Sequence, residues 1–215
     1  MQRARSDDEK QQRKEVFLEV GEKLFLKKPD SLPSVTAIVK AASLAKGTFY
    51  LYFATKEELY LDILSIRFSA WLTAIREQLE KKPDLKAQFL AEVILAPVRD
   101  DACFLQLAAI TPTILEVNLS PERAITFKKG LGSELSELAG WMEESFNIPK
   151  DQVIDMLQSC YAIVLGCWQV SRVSDTVAAI KDKVGYDFLF PSFTEKAKPL
   201  LENVMRAYLS QINSK

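Results

Sequence analysis

Lys46, Thr48, Tyr50, Tyr52 and Lys56 place two ammonium groups and three hydroxyls within one short stretch. All are hydrogen-bond donors, and donors of this kind suit phosphate oxygens and the edges of bases. The hydroxyls of Thr48, Tyr50 and Tyr52 can donate to phosphate, which holds a partner in register without reading it. Lys46 can donate to guanine O6 and N7, and so can read. Ser34 and Thr36 open the preceding apolar-periodic stretch, where a helix N-terminus can add phosphate contacts. Catalysis finds little to work with. The 215 residues include no His, which removes Ser-His-Asp, Cys-His and His-dependent zinc chemistry. There is also no CxxC, HExxH or glycine-rich phosphate loop, so no catalytic residue, metal site or cofactor is expected.

The elements that must position these donors are helical. Val35, Ile38 and Val39 fall at i, i+3 and i+4, and Ser34 stands where an N-cap belongs. Ala42, Ser43 and Leu44 leave room only for a turn between packed helices. In the following AKGTFYLYF, the spacing turns Phe49 and Phe53 inward and leaves Lys46, Thr48, Tyr50 and Tyr52 mostly outward. That is the pattern of a helix-turn-helix. Upstream, Val16, Phe17, Val20, Leu24 and Phe25 mark a helix over about 10–28, with Gly21 permitting close approach of a neighbour. Residues 1–10 read as a mobile arm, in which Arg3 and Arg5 could reach phosphates but Asp7, Asp8 and Glu9 oppose this. Downstream, Thr55 and Glu58 form a capping box that opens a long helix to about Lys81, nearly 40 Å at 1.5 Å per residue. Leu59, Ile63, Ile66, Ala70 and Ile75 make its apolar face, widened by Leu64, Phe68 and Trp71.

The run KAASLAKGTFYLYFATKEEL resembles the DNA-binding signature of the TetR family of one-component transcriptional regulators. The likeness extends upstream to FLEVGEKLF and covers roughly residues 11–65. Three positions depart from the usual pattern. Ser43 stands at a turn position usually held by Gly, Ala45 where a Ser normally caps the recognition helix, and Lys28-Pro29 where a Gly often ends the first helix. The resemblance implies that the recognition helix enters the major groove of a palindromic double-stranded DNA operator. The DNA site would be Ser34, Thr36, Lys46, Gly47, Thr48, Tyr50, Tyr52 and Lys56, with Lys56 meeting a phosphate. It also implies a homodimer and a small-molecule effector held among helices of about 85–170. The large side chains available there are Phe89, Phe104, Leu107, Ile114, Phe127, Leu131, Trp141, Tyr161 and Trp168, and few charges interrupt them, which favours an apolar or aromatic effector.

Composition agrees without pointing to DNA by itself. The net charge is −1, yet residues 1–60 carry 11 Lys and Arg against 9 Asp and Glu, and the remainder 17 against 20. Cys103, Cys160 and Cys167 are odd in number and widely spaced, which suits buried thiols in a reducing cytoplasm. No membrane span or signal peptide is expected. Beyond Pro83 the chain reads as helices over about 84–98 and 100–117, the second kinked or split at Pro112. Ser120-Pro121-Glu122 then starts a helix to about Phe146, and residues 150–173 and 192–212 follow, with Pro199 suggesting a late start for the last. The fold class is all-α. A three-helix helix-turn-helix domain, residues 1–55, is joined by the long helix to a larger effector-binding and dimerisation domain, residues 56–215. The competing class is an all-α small-molecule-binding protein or enzyme with a vestigial helix-turn-helix.

Overall fold

The computed structural model describes residues 2–29 and 31–212, with side chains described from Glu9 onward. In chain order the helices are α1 (Gln2–Lys27), α2 (Val35–Ala42), α3 (Lys46–Tyr50), α4 (Lys56–Lys81), α5 (Ala87–Leu95), α6 (Ala102–Ile110), α7 (Pro121–Phe146), α8 (Lys150–Ser171), α9 (Asp175–Ala178), α10 (Lys181–Val184) and α11 (Phe193–Ile212). No strand occurs among the described residues. A π-helical turn, Thr111–Leu115, follows α6, and a 3-10 turn, Asp187–Leu189, precedes α11. The chain forms two units, residues 1–68 with 102–131 and residues 69–101 with 132–215. The division falls inside α4 and inside α7.

The first unit is held by aromatic rings. Phe17 from α1 meets Phe49 of α3 edge-on at 5.4 Å, and Phe49 meets Phe53 at 5.4 Å. All three are buried, and such pairs add about 0.5–1.5 kcal/mol each beyond their area. α1 and α4 then approach through Gly21, where a Cβ would stand 2.6 Å from Leu59 Cδ2. The freed space lets Tyr60 Oη donate to the Gly21 carbonyl at 3.1 Å. Burial holds that phenol well above its usual range, so it stays a donor. Polar ties cross the same unit. Asp62 on α4 pairs with Lys14 of α1 at 2.8 Å and with Arg123 of α7. Arg67 pairs with Glu22, and Gln106 of α6 donates to the Pro29 carbonyl at 3.1 Å.

The second unit packs α11 against α5 and α8. Phe193, Ala197, Leu201 and Met205 recur every four residues and are all buried. Across from them Val153, Leu157, Cys160 and Val164 line α8, and Leu90, Ile94 and Leu95 line α5. Trp71 Nε1 donates to the Ile94 carbonyl at 2.9 Å, which satisfies its one polar atom inside the core. The three cysteines are free and buried, and burial pushes the Cys160 thiol up to about 12.

Several boundaries differ from expectation for local reasons. α1 begins at Gln2 rather than near Lys10, because the charged stretch is rich in Gln, Arg, Glu and Lys, all strong helix formers. The side chains of Arg3, Arg5, Asp7 and Asp8 lie outside the described residues. Val16, Ile66 and Ala70 are exposed, whereas Leu61, Leu72 and Leu79 are buried. α11 runs through Pro199 without a late start. Pro199 and Glu195, whose carbonyl it cannot pair with, both lie on the exposed side, where water can take that carbonyl. Pro112 splits its helix as expected. The backbone widens there, with Glu116 N–H donating five residues back to the Thr111 carbonyl at 2.9 Å.

Gly21→Ala gains helix propensity but must displace Leu59, which has no exposed surface into which to move. Net destabilisation of about 1 kcal/mol is expected in urea unfolding. An increase in stability would show that Leu59 has room to swing.

Candidate nucleic-acid interface

α2 begins where Ser34 Oγ accepts from Ala37 N–H at 3.2 Å, and ends at Ser43 with φ 55° and ψ 35°. That left-handed residue lets Leu44 N–H reach the Val39 carbonyl at 3.1 Å and turns the chain into α3. Serine thus takes the conformation at a position where glycine would be unstrained. α3 has only five residues, and Ala45 before it makes no side-chain cap. Thr55 Oγ1 accepts from Glu58 N–H at 3.3 Å, and Glu58 reaches back to Ala54 N–H at 2.8 Å. This box anchors the first turn of α4, where Lys56 stands.

The expected donors are distributed unevenly. Ser34, Thr36, Lys46 and Gly47 are exposed, Tyr50 is half exposed, and Thr48, Tyr52 and Lys56 are half-buried. Lys46 Nζ lies 6.0 Å from the centre of the Tyr50 ring, so the two share one side of the helix. Tyr52 packs its ring against Phe17 at 6.1 Å and is partly a core residue. Residues 34–56 include Lys40, Lys46 and Lys56 and no Asp or Glu, so the face carries positive charge without internal compensation. Leu51, which is not among the residues expected from the sequence, follows α3 with 79% of its surface exposed.

The nine large side chains expected to line a pocket are divided between the two units. Phe104, Leu107, Ile114, Phe127 and Leu131 belong to the first unit, and Phe89, Trp141, Tyr161 and Trp168 to the second. Phe104, Leu107 and Phe127 are core residues with 4% exposure or less, Ile114 is exposed, and Trp168 packs edge-on against Phe193 at 5.6 Å. The second unit has a cavity of about 130 Å³ lined by Ser69, Leu72, Thr73, Arg76, Glu134, Glu137 and Leu138, none of them among the nine. Trp141 lies with its ring beneath the guanidinium of Arg76, at 5.1 Å. Arg76 is further engaged by Glu80 at 2.8 Å. Burial raises the Glu134 carboxyl above its usual value, opposed by a hydrogen bond with Ser69 and reinforced by the Glu137 charge.

Among the described residues no group of three or more His, Cys, Asp or Glu is placed to hold a metal ion. By length and composition α8 alone among them could cross a membrane, with a mean hydropathy of 1.3, but it carries the buried stripe that packs on α11.

Comparison with known proteins agrees with this geometry. The family model described as bacterial regulatory proteins, tetR family, matches residues 17–63, and the one described as tetracyclin repressor-like, C-terminal domain, matches residues 66–208. The chain is 40% identical over 58 residues to the HTH-type transcriptional regulator QacR of Staphylococcus aureus, covering 27% of this chain and 31% of that protein. It is 34% identical over 64 residues to the uncharacterized HTH-type transcriptional regulator YuxN of Bacillus subtilis, covering 30% of this chain and 22% of that protein. The chain therefore aligns with less than a third of the length of either relative. The fold is similar to that of the fatty acid degradation regulator FadR from Bacillus halodurans, with a TM-score of 0.52 at 16% identity over 92% of this chain and 94% of that one.

Glu134 supplies a check on the cavity. Its folded carboxyl binds a proton more readily than the unfolded one, so ionisation lowers stability as pH rises from the ordinary value of 4.5 through the raised folded value. Glu134→Gln should match the wild type in thermal melts below about pH 4 and be the more stable at neutral pH. A difference independent of pH would remove the carboxylate from a desolvated setting.

Proposed function

We propose, since this chain belongs to the TetR family of bacterial regulatory proteins, that it is a homodimeric one-component transcriptional regulator, a repressor that leaves a palindromic operator when a small effector binds. The observation that carries the reading is α3 held by its own buried ring. With Phe49 fixed in the core, Lys46, Gly47 and Tyr50 are presented outward on an uncompensated positive face, with Thr48 half-buried at its edge. Ser34, Thr36, Tyr52 and Lys56 flank it as backbone contacts. Functionally, residues 1–55 bind DNA and residues 56–215 take the effector and the second subunit. A DNA partner implies a cytoplasmic location and a role other than catalysis.

The effector reading rests on the cavity beside α4 and α7. At about 130 Å³ it would take a compact group, with Leu72 and Leu138 giving apolar contact and Glu134 and Glu137 favouring a donor on it. Dimerisation is assigned to the outer side of α8 and α11. Ala162, Gly166 and Val170 recur there at four-residue intervals on exposed surface, and Leu200 is 40% exposed. α4 carries the signal, since it holds Lys56 at one end and Ser69, Leu72, Thr73 and Arg76 of the cavity further on. Asp62 supports a second route, because it is shared by Lys14 of α1 and Arg123 of α7. Ligand and DNA then oppose one another by linkage.

Selection of bound fragments from a random double-stranded pool tests the reading. The expected product is a palindrome whose half-sites lie about 10 base pairs, or a multiple, apart. Recovery of no sequence would favour the small-molecule-binding alternative with a vestigial helix-turn-helix. On the selected operator, Lys56→Ala should weaken specific and random DNA alike and lower the salt slope by about one unit. A loss confined to the operator would contradict a phosphate role.

A further inference from the structure

Gly47 has no structural reason to be glycine. It is the second residue of α3, it lacks a positive φ, and a Cβ built on it would meet nothing within 4 Å. At an exposed helical position glycine is the less stable choice beside alanine. One turn later stands Leu51, the residue that closes α3, in right-handed conformation with φ −74° and ψ −20° and with its N–H on the Thr48 carbonyl at 3.3 Å. Leu51 is 79% exposed, more than the other exposed large apolar side chains described here. Neither residue is explained by the core. Together they make a bare stretch of backbone followed by one isobutyl group, flanked by Lys46 and Tyr50.

A major groove offers one apolar group to such a surface, the C5 methyl of thymine. We infer that Gly47 and Leu51 form a thymine reader, in which Gly47 lets the α3 backbone approach the base edge and Leu51 packs against the methyl group. This rests on the DNA reading above and adds a specificity determinant to it. The polar donors of the same face set register and read hydrogen-bonding edges, whereas this pair distinguishes thymine from cytosine by an apolar contact. The substitution Gly47→Ala then has opposite effects on the two levels: it favours the helix and obstructs the groove.

The test uses the full-length protein and the selected operator, with each symmetric pair of thymines replaced in turn by deoxyuridine, which removes only the methyl group. One pair should lower wild-type affinity by about 4-fold per half-site, the worth of one buried methyl. Leu51→Ala should weaken the thymine operator by a similar factor, bind the deoxyuridine operator no worse than the wild type does, and leave affinity for random DNA unchanged. Gly47→Ala should melt at the same or a higher temperature yet bind the operator at least about 10-fold more weakly. If no thymine pair responds, or if the deoxyuridine penalty persists in Leu51→Ala, the inference is overturned while the regulator reading stands. Wild-type affinity in Gly47→Ala would likewise overturn it. Failure to select any operator would overturn both.

Discussion

A five-residue helix does not form by itself, since nucleation costs more than so few backbone bonds return. α3 exists because Phe49 is driven into contact with Phe17 and Phe53, and the face that α3 presents depends on that burial. The cluster fixes the rotation of α3 about its axis. With Phe49 inward, Lys46, Gly47 and Tyr50 are outward, and Leu51 follows on the continuing turn. The missing cap at Ala45 and the left-handed Ser43 are local costs that the cluster overrides.

The same unit recruits residues from well beyond the helix-turn-helix. α6, the π-helical turn and the start of α7 belong to it, tied in by Gln106 on the Pro29 carbonyl and by Arg123 on Asp62. Asp62 is partly buried, and a carboxylate in that setting holds two cations more firmly than one on open surface would. A boundary drawn at the start of α4 on grounds of chemistry therefore differs from the grouping by packing. Both α4 and α7 run across the division, so each unit contains part of two helices it does not wholly own.

Much of this was legible in the linear pattern. The Ser34 cap, the Thr55 and Glu58 box, the strain at Ser43 and the break at Pro112 each depend on neighbours within five residues, and the four-residue spacing of Phe49 and Phe53 put both on one face. The void was not legible. The pattern named Phe104, Leu107 and Phe127 because they are large and periodic, and those are the side chains that fill space. The cavity is lined by Leu72 and Leu138 together with Ser69, Thr73, Arg76 and two glutamates, and the last five are types that periodicity classes as surface.

What the sequence determined by itself were the helices, their caps and the donor set, because hydrogen bonding within a turn and the side-chain period of 3.6 are local properties. Tertiary structure alone decided which apolar residues are buried and which are exposed. Leu51 and Phe49 are both apolar and two positions apart, yet one is 79% exposed and the other has no exposure. The ring of Phe17, more than thirty residues earlier in the chain, packs on Phe49 and completes that difference. It likewise decided that Gly21 is required by the fold and Gly47 is not, since that depends on whether a distant chain such as Leu59 occupies the space a Cβ would need.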